Sequence, residues 1–171
     1  MENIEIVVLQ PSQWQEYRDL RLKALKEEPQ AYVAKYEENV ILPDDFWIKR
    51  LEEASAEQTQ WLLFAKQGNN LVGIVGGFIK EEKNTVLIIS LYVTKEMRGQ
   101  GVAKKLMSQL ITKIKLNKLI NKLEVGVNPE QTGALHLYRS LGFKIVKQGK
   151  EILGDGKEHE SYDMELLLNE A

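Results

Sequence analysis

The stretch from Thr85 to Lys104 constrains this chain more than any other. Thr85-Val86-Leu87-Ile88-Ile89-Ser90-Leu91-Tyr92-Val93 is almost continuously apolar and β-branched. That is the composition of a strand buried on both faces, so it predicts a central position in a sheet. Shortly after it, Arg98-Gly99-Gln100-Gly101 leads into Val102-Ala103-Lys104 and a helix whose apolar stripe is Val102, Leu106, Leu110 and Ile114. Two glycines before a helix let the backbone approach an anion closely, and the N–H groups of the first turn have no partner inside the helix. Strand, glycine loop and helix in that order can cradle a phosphate. The wording differs from the common nucleotide motifs. A P-loop needs Lys-Ser or Lys-Thr after its last glycine, where Val102-Ala103 stand, and the dinucleotide fingerprint needs a small residue where Lys104 stands.

Around this unit the chain reads as alternating short elements. Ile4 to Leu9 predicts a strand, and Ser12 with Gln15 forms a capping-box pattern for a helix carrying Trp14, Tyr17, Leu20, Ala24 and Leu25 at helical spacing. Pro43-Asp44-Asp45 starts a second helix, with acids at the positive end of its dipole, and a loop from Tyr32 to Leu42 lies between the two. Trp61 to Ala65 and Leu71 to Val75 predict strands joined by Gly68-Asn69-Asn70, a hairpin signal. Downstream come a strand at Leu123 to Val127, a short helix from Gln131 to Leu141 closed by Gly142, and strands at Phe143 to Val146 and Tyr162 to Leu168. The order β-α-α-β-β-β-α-β-α-β-β predicts an α/β fold with a mixed sheet, in which residues 85–127 form a parallel crossover. Gly73, Gly76 and Gly77 read as a bulge or a close approach inside a strand, and Trp14, Trp47 and Trp61 as packing residues.

Composition narrows the function classes. The 171 residues carry 23 Lys+Arg, 25 Asp+Glu and no cysteine. Thiolate catalysis, a disulfide framework and a Cys-containing zinc site are therefore excluded, and two histidines without an H-x-x-x-H spacing argue against a catalytic metal. No apolar run reaches the length of a membrane span, and Met1-Glu2-Asn3-Ile4-Glu5 lacks the pattern of a signal peptide. The expectation is one cytoplasmic domain over residues 1–171. Charge is unevenly spread: residues 94–122 carry a net +7 beside the glycine loop, and residues 1–60 a net −6. Such asymmetry suits a polyanionic cofactor on one side and a cationic substrate on the other. Nucleic-acid binding through the basic stretch is disfavoured, because aromatics are not interleaved with the bases and the whole chain is acidic.

Two segments together resemble a known family. Arg98-Gly99-Gln100-Gly101-Val102-Ala103 matches the Q/R-x-x-G-x-G/A signature of the GNAT N-acetyltransferases, and Ala134-Leu135-His136-Leu137-Tyr138-Arg139-Ser140-Leu141-Gly142-Phe143 matches their A-x-x-L-Y-x-x-x-G-F segment. Leu20-Arg21-Leu22-Lys23-Ala24-Leu25 with Pro29, Ala31 and Tyr32 is similar to the amino-terminal helix and loop of many bacterial members. The resemblance implies a splayed mixed sheet of the acyl-CoA N-acyltransferase type and transfer of acetyl from acetyl-CoA to a primary amine. The acceptor would be a small molecule or a peptide amino group.

The resemblance also implies roles. Backbone N–H groups from Arg98 through Gly99, Gln100, Gly101, Val102 and Ala103 to Lys104 would hold the pyrophosphate. Leu91, Tyr92 and Val93 would offer their backbone to the pantetheine, with the Val93 N–H polarising the thioester oxygen. Tyr138 would be the general acid for the leaving thiolate, and the absence of cysteine favours direct attack by the amine in a ternary complex. The central strand lacks the carboxylate that many relatives place there; Glu124 in Leu123-Glu124-Val125 matches a position that looks like the base in some relatives acting on protein amino termini. Glu37 and Glu38 are further candidates for base or substrate contact. Gln131 replaces the asparagine of the family's N-x-x-A pattern, and Asn128 precedes it, so either reaches the cofactor. These departures also motivate an alternative, a silent acyl-CoA-binding or regulatory module.

Overall fold

A computed structural model describes residues 3–168. Seven strands form one sheet in the order β1-β2-β3-β4-β5-β7-β6. They are β1 (Ile4–Val7), β2 (Gln60–Gln67), β3 (Asn70–Ile79), β4 (Thr85–Val93), β5 (Lys122–Val127), β6 (Lys144–Ile152) and β7 (Glu158–Leu167). The helices are α1 (Trp14–Glu27), the single turn α2 (Tyr36–Asn39), α3 (Asp44–Ser55), α4 (Val102–Ile114) and α5 (Thr132–Ser140). The continuously apolar strand is β4, fourth of the seven, as its composition requires. It pairs antiparallel with β3 and parallel with β5, so the sheet is mixed.

Both faces of the sheet are covered, and strand alternation sorts the core. On β2, Trp61, Leu63 and Ala65 join the cluster under α4 and α5, whereas Leu62 and Phe64 join the cluster under α1 and α3. Trp47 and Trp61 are each 1% exposed, which makes them packing residues. Tyr17 packs edge-on against both Trp47 and Phe64. Gly73 lies where a side chain would meet Leu106 Cδ1 at 3.0 Å, so α4 sits close on β3 there.

Three local expectations are corrected. The first helix is entered one step earlier than Ser12 and Gln15 suggest. A 3-10 turn at Pro11–Gln13 precedes it, and Gln13 Oε1 accepts the Gln10 N–H at 2.9 Å. The loop before α3 contains the turn α2, which Val40 closes by donating its N–H to the Tyr36 carbonyl. The last two strands are longer than expected, pairing from Lys144↔Glu165 to Ile152↔Glu158. Their charged, mostly exposed residues give no apolar alternation to read, and charge on an edge strand such as β6 also blocks unwanted pairing.

Candidate active site

The site begins where two neighbouring strands part. β4 and β5 pair only from Thr85↔Lys122 to Leu87↔Glu124, while β5 continues alongside β7 as far as Val127↔Tyr162. Beyond Leu87 the edge of β4 therefore faces a gap. A bulge shapes that edge: the β3–β4 register shifts between Ile74 and Gly76, and Ser90 adopts φ +64. Two clefts, of about 800 and 850 Å³, open on either side of the gap and share Tyr32, Ile88 to Ser90 and Val125 to Asn128 as walls.

The first cleft runs from the gap over the glycine loop to α5. Gly99 and Gly101 both have positive φ, +74 and +81, with open space where a side chain would project. Gly101 caps α4 in the left-handed conformation. The first backbone bond of the helix is Lys105 N–H to the Gly101 carbonyl, which leaves the N–H groups of residues 99–104 without a backbone acceptor. A row of unpartnered donors at the start of a 13-residue helix is a fit for a pyrophosphate. The Arg98 N–H is already used, donating to the Lys95 carbonyl, so the free set begins at Gly99. The Arg98 side chain is a strut: Nε donates to the Val93 carbonyl at 3.0 Å and Nη2 meets Glu28 Oε1 at 3.0 Å. Gln100 turns its amide to the Glu96 carbonyl, while Val102, Ala103 and Lys104 line the cleft.

Tyr138 projects from α5 into the same cleft. The helix ends just beyond it, where Gly142 has φ +99 and the Phe143 N–H returns to the Tyr138 carbonyl. The side chain is 5% exposed, and its hydroxyl has no hydrogen-bond partner among the described residues. Burial pushes this phenol above its ordinary range, with Tyr32 adding to the effect. Leu91, Tyr92 and Val93 all border the cleft. The Leu91 carbonyl accepts the Tyr32 hydroxyl at 2.8 Å, and the Tyr92 hydroxyl donates to Glu27 Oε2 at 2.6 Å.

Asn128 and Gln131 differ in how they are engaged. Asn128 is 5% exposed; its Nδ2 donates to the Gln30 carbonyl at 3.2 Å and its Oδ1 accepts the Glu130 N–H at 3.0 Å. Those bonds tie the end of β5 to the loop after α1. Gln131 borders the cleft at the N-cap of α5, and its side chain makes no hydrogen bond to a described residue.

The second cleft lies between β4, β7, the start of β6 and the loop after α1. Glu124 faces it from the last position at which β5 pairs with β4. Lys80 Nζ meets Glu124 Oε2 at 2.7 Å and Lys122 Nζ meets Oε1 at 3.4 Å. The hydrogen bond from Lys80 holds this carboxyl below the ordinary glutamate range. Glu151, Glu160, Asp163 and Glu165 also line this cleft. Its acidity thus comes from β5 and the β6–β7 hairpin. The acidic amino-terminal region does not supply it: Glu37 and Glu38 are exposed on α2 and line neither cleft, while Glu28 and Glu57 are spent on Arg98 and Lys113.

Sequence reasoning missed several residues that shape these clefts. Tyr32 stands at the junction, with the Arg21 guanidinium 4.8 Å from its ring centroid. Arg21 left a signal: it shares the helix face of Tyr17, Ala24 and Leu25, where a charge needs a reason. Gly154 is the other. Its N–H donates to the Tyr32 carbonyl at 2.7 Å, and a side chain there would meet the Ala34, Pro29 and Tyr32 carbonyls.

A sheet split beside a glycine-capped helix, with a buried phenol facing the gap, defines an acyl-CoA transferase architecture. The profile of the Acetyltransferase (GNAT) family matches residues 5–143, and the chain belongs to that family. It is an acetyl-CoA-dependent N-acetyltransferase. The L-2,4-diaminobutyric acid acetyltransferase of Methylotuvimicrobium alcaliphilum is 25% identical over 130 residues, 74% of each chain. The N-acetylaspartate synthetase of Rattus norvegicus is 35% identical over 75 residues, 44% of this chain and 25% of that protein. Among solved structures, yncA from Salmonella typhimurium with its cofactor acetyl-CoA superposes with a TM-score of 0.83 at 18% identity, over 99% of this chain and 96% of the other. No helix among the described residues is long and apolar enough to cross a membrane.

Proposed function

We propose that this protein transfers acetyl from acetyl-CoA to a primary amine of a small molecule, by direct attack in a ternary complex, using the first cleft for acetyl-CoA and the second for the amine. The observation that carries this reading is the arrest of β4–β5 pairing at Leu87↔Glu124, with one cleft on each side of the resulting gap. Acetyl-CoA brings an activated thioester to that gap. The N–H groups of residues 99–104 hold its pyrophosphate, and Lys104 adds charge beside them. The edge of β4 from Leu91 to Val93, where Tyr32 and Arg98 already engage the Leu91 and Val93 carbonyls, lies along the pantetheine, and the Val93 N–H stabilises charge on the thioester oxygen. Gln131, with its amide free, is the better candidate than Asn128 for a further cofactor contact.

In the reaction a C–N bond forms and the C–S bond breaks. Tyr138 holds its proton through the working pH range and gives it to the departing sulfur, and the nitrogen of the collapsing intermediate releases its second proton, which restores the phenol. The amine arrives mainly as ammonium and must lose one proton before it attacks. Glu124 accepts that proton and passes it to solvent through the open second cleft. Its ion pair with Lys80 keeps it charged, which also favours an approaching ammonium group. The acceptors named for the two relatives, both small amino acids, support a small-molecule amine over a peptide terminus. One sheet running from β1 to β7 supports a single domain over residues 1–171.

Calorimetric titration with acetyl-CoA, with dephospho-CoA and ATP as controls, tests the cofactor cleft. A panel of primary amines followed by thiol release tests the transfer. Micromolar CoA-selective binding with turnover on at least one small amine is expected. Binding without turnover across the panel returns the chain to the silent-module alternative.

A further inference from the structure

Among the charged residues lining the second cleft five acids outnumber three bases, and one of those bases, Arg21, has no acidic partner among the described residues. Arg21 Nη1 is shut off from solvent and has no hydrogen-bond partner. No carboxylate lies within ion-pair distance of Arg21 among the described residues, and the charged or phenolic groups facing it are Tyr32, Tyr17 and Arg50. Arg50 is itself a cation with a buried, unpartnered Nε. Desolvation weakens the hold of the Arg21 guanidinium on its proton, as burying any cation does. Arg21 as a whole is half-buried, but leaving a guanidinium nitrogen buried without a partner is costly, and a charge on an otherwise apolar helix face calls for a compensating partner.

We infer that Arg21 binds the carboxylate of the acceptor, so that the substrate class is an amino acid bearing a side-chain amine and not a simple diamine. The inference rests on the transferase reading above. Three observations converge on it. Arg21 lines the amine cleft and not the acetyl-CoA cleft. It lies over the face of Tyr32, whose hydroxyl is fixed on the Leu91 carbonyl at the edge of the gap. The guanidinium is thereby held about one phenol ring away from the strand where transfer occurs. Glu160 and Asp163 line the rest of the cleft without an ion pair to a described residue, beside Lys147 and the paired Glu124 and Lys80. A cleft with one unsatisfied guanidinium and several carboxylates complements a molecule with a single carboxylate and more than one amine. Arginine suits the first task, because its fork of donors matches a carboxylate and it stacks on an aromatic face.

The test compares matched acceptors: diaminobutyrate, ornithine and lysine against diaminopropane, putrescine and cadaverine, which differ from them only by the carboxylate. The amides of the same amino acids separate charge from size. The expected result is a preference of roughly 10- to 100-fold in kcat/KM for at least one carboxylated member over both its diamine and its amide, the worth of a charge-assisted hydrogen bond in a dry site. Arg21→Gln should collapse that ratio toward one, which a merely structural arginine would not do. Equal or better transfer to the diamines overturns the inference and leaves the transferase reading standing. So does a preference that survives in Arg21→Gln. No transfer to any member of either series counts against both. The comparison on the unmodified protein decides the matter even if Arg21→Gln does not fold.

Discussion

Lys80 Nζ, just past the end of β3, lies 2.7 Å from Glu124 Oε2 on β5, a residue 44 positions later in the sequence. That contact depresses the Glu124 carboxyl below the ordinary glutamate range and raises the Lys80 ammonium above its own. A group with a lowered folded pKa loses its charge only as pH falls through that lowered value. With Glu124 as proton acceptor, kcat/KM should hold steady down through the ordinary glutamate range and fail only below it. Lys80→Met removes the first cause of the depression, so the acid limb should move up in pH. Full pH–rate profiles of the two proteins with one acceptor check this. An acid limb that stays in place in Lys80→Met removes Glu124 from the proton path.

Tyr138 should be the costliest single hydroxyl to delete. Burial raises its pKa, so the phenol is protonated wherever the protein is folded at ordinary pH, and any alkaline loss of rate belongs to another group. Tyr138→Phe keeps the ring that packs 5.6 Å from Phe143 and removes only the hydroxyl. A fall in kcat of about 10²- to 10⁴-fold is expected, with acetyl-CoA affinity nearly intact. Steady-state kinetics beside calorimetry separates the two, and an unchanged kcat would make the hydroxyl a spectator.

How much of this was legible depended on burial. β4, α4 and α5 announce themselves because a buried element must carry an apolar pattern, and Gly99, Gly101 and Gly142 because positive φ restricts residue choice. The first cleft is walled largely by those elements, so much of its lining could be read from the chain. The amine cleft is made from β6, β7 and the loop after α1, whose polar residues carry no period. Arg21 and Gly154 acquire meaning only from partners far away in sequence, a ring on a loop in one case and three carbonyls in the other. Asn128 and Gln131 sit three residues apart on one turn, and only hydrogen-bond bookkeeping separates them: one amide is occupied and the other is free.

The glycine loop can be probed by adding one methyl group. At Gly101 nothing lies within 4 Å of where a Cβ would stand, so Gly101→Ala creates no clash with the rest of the protein. Its cost is conformational, since φ is +81 and an L side chain disfavours that region by about 1–3 kcal/mol. The loop then relaxes away from the shape that aims its N–H groups at a phosphate. Acetyl-CoA affinity should fall roughly 5- to 100-fold, with a loss of thermal stability of at most about 1–3 kcal/mol from the same strain. Isothermal calorimetry with a melting curve reads both quantities. Unchanged affinity would mean that the pyrophosphate does not use this loop.

Gly154 offers the opposite experiment, because there the backbone is ordinary and the space is absent. An added Cβ would lie 2.7 Å from the Ala34 carbonyl oxygen and 3.0 Å from that of Pro29, both main-chain atoms that cannot swing aside. The same residue donates its N–H to the Tyr32 carbonyl, so the β6–β7 hairpin tip braces the loop that carries Tyr32. Gly154→Ala should push that loop outward and cost about 1–3 kcal/mol, a drop of roughly 3–10 °C in Tm. Tyr32 in turn spans the two clefts, its hydroxyl on Leu91 and its face under Arg21. The kinetic damage should therefore fall on the amine side. KM for the acceptor should rise several-fold while acetyl-CoA affinity, set by the loop at residues 99–104 on the other side of the gap, moves little. Equal losses for both substrates would show that the hairpin tip supports the whole sheet opening and does not act on the amine cleft alone.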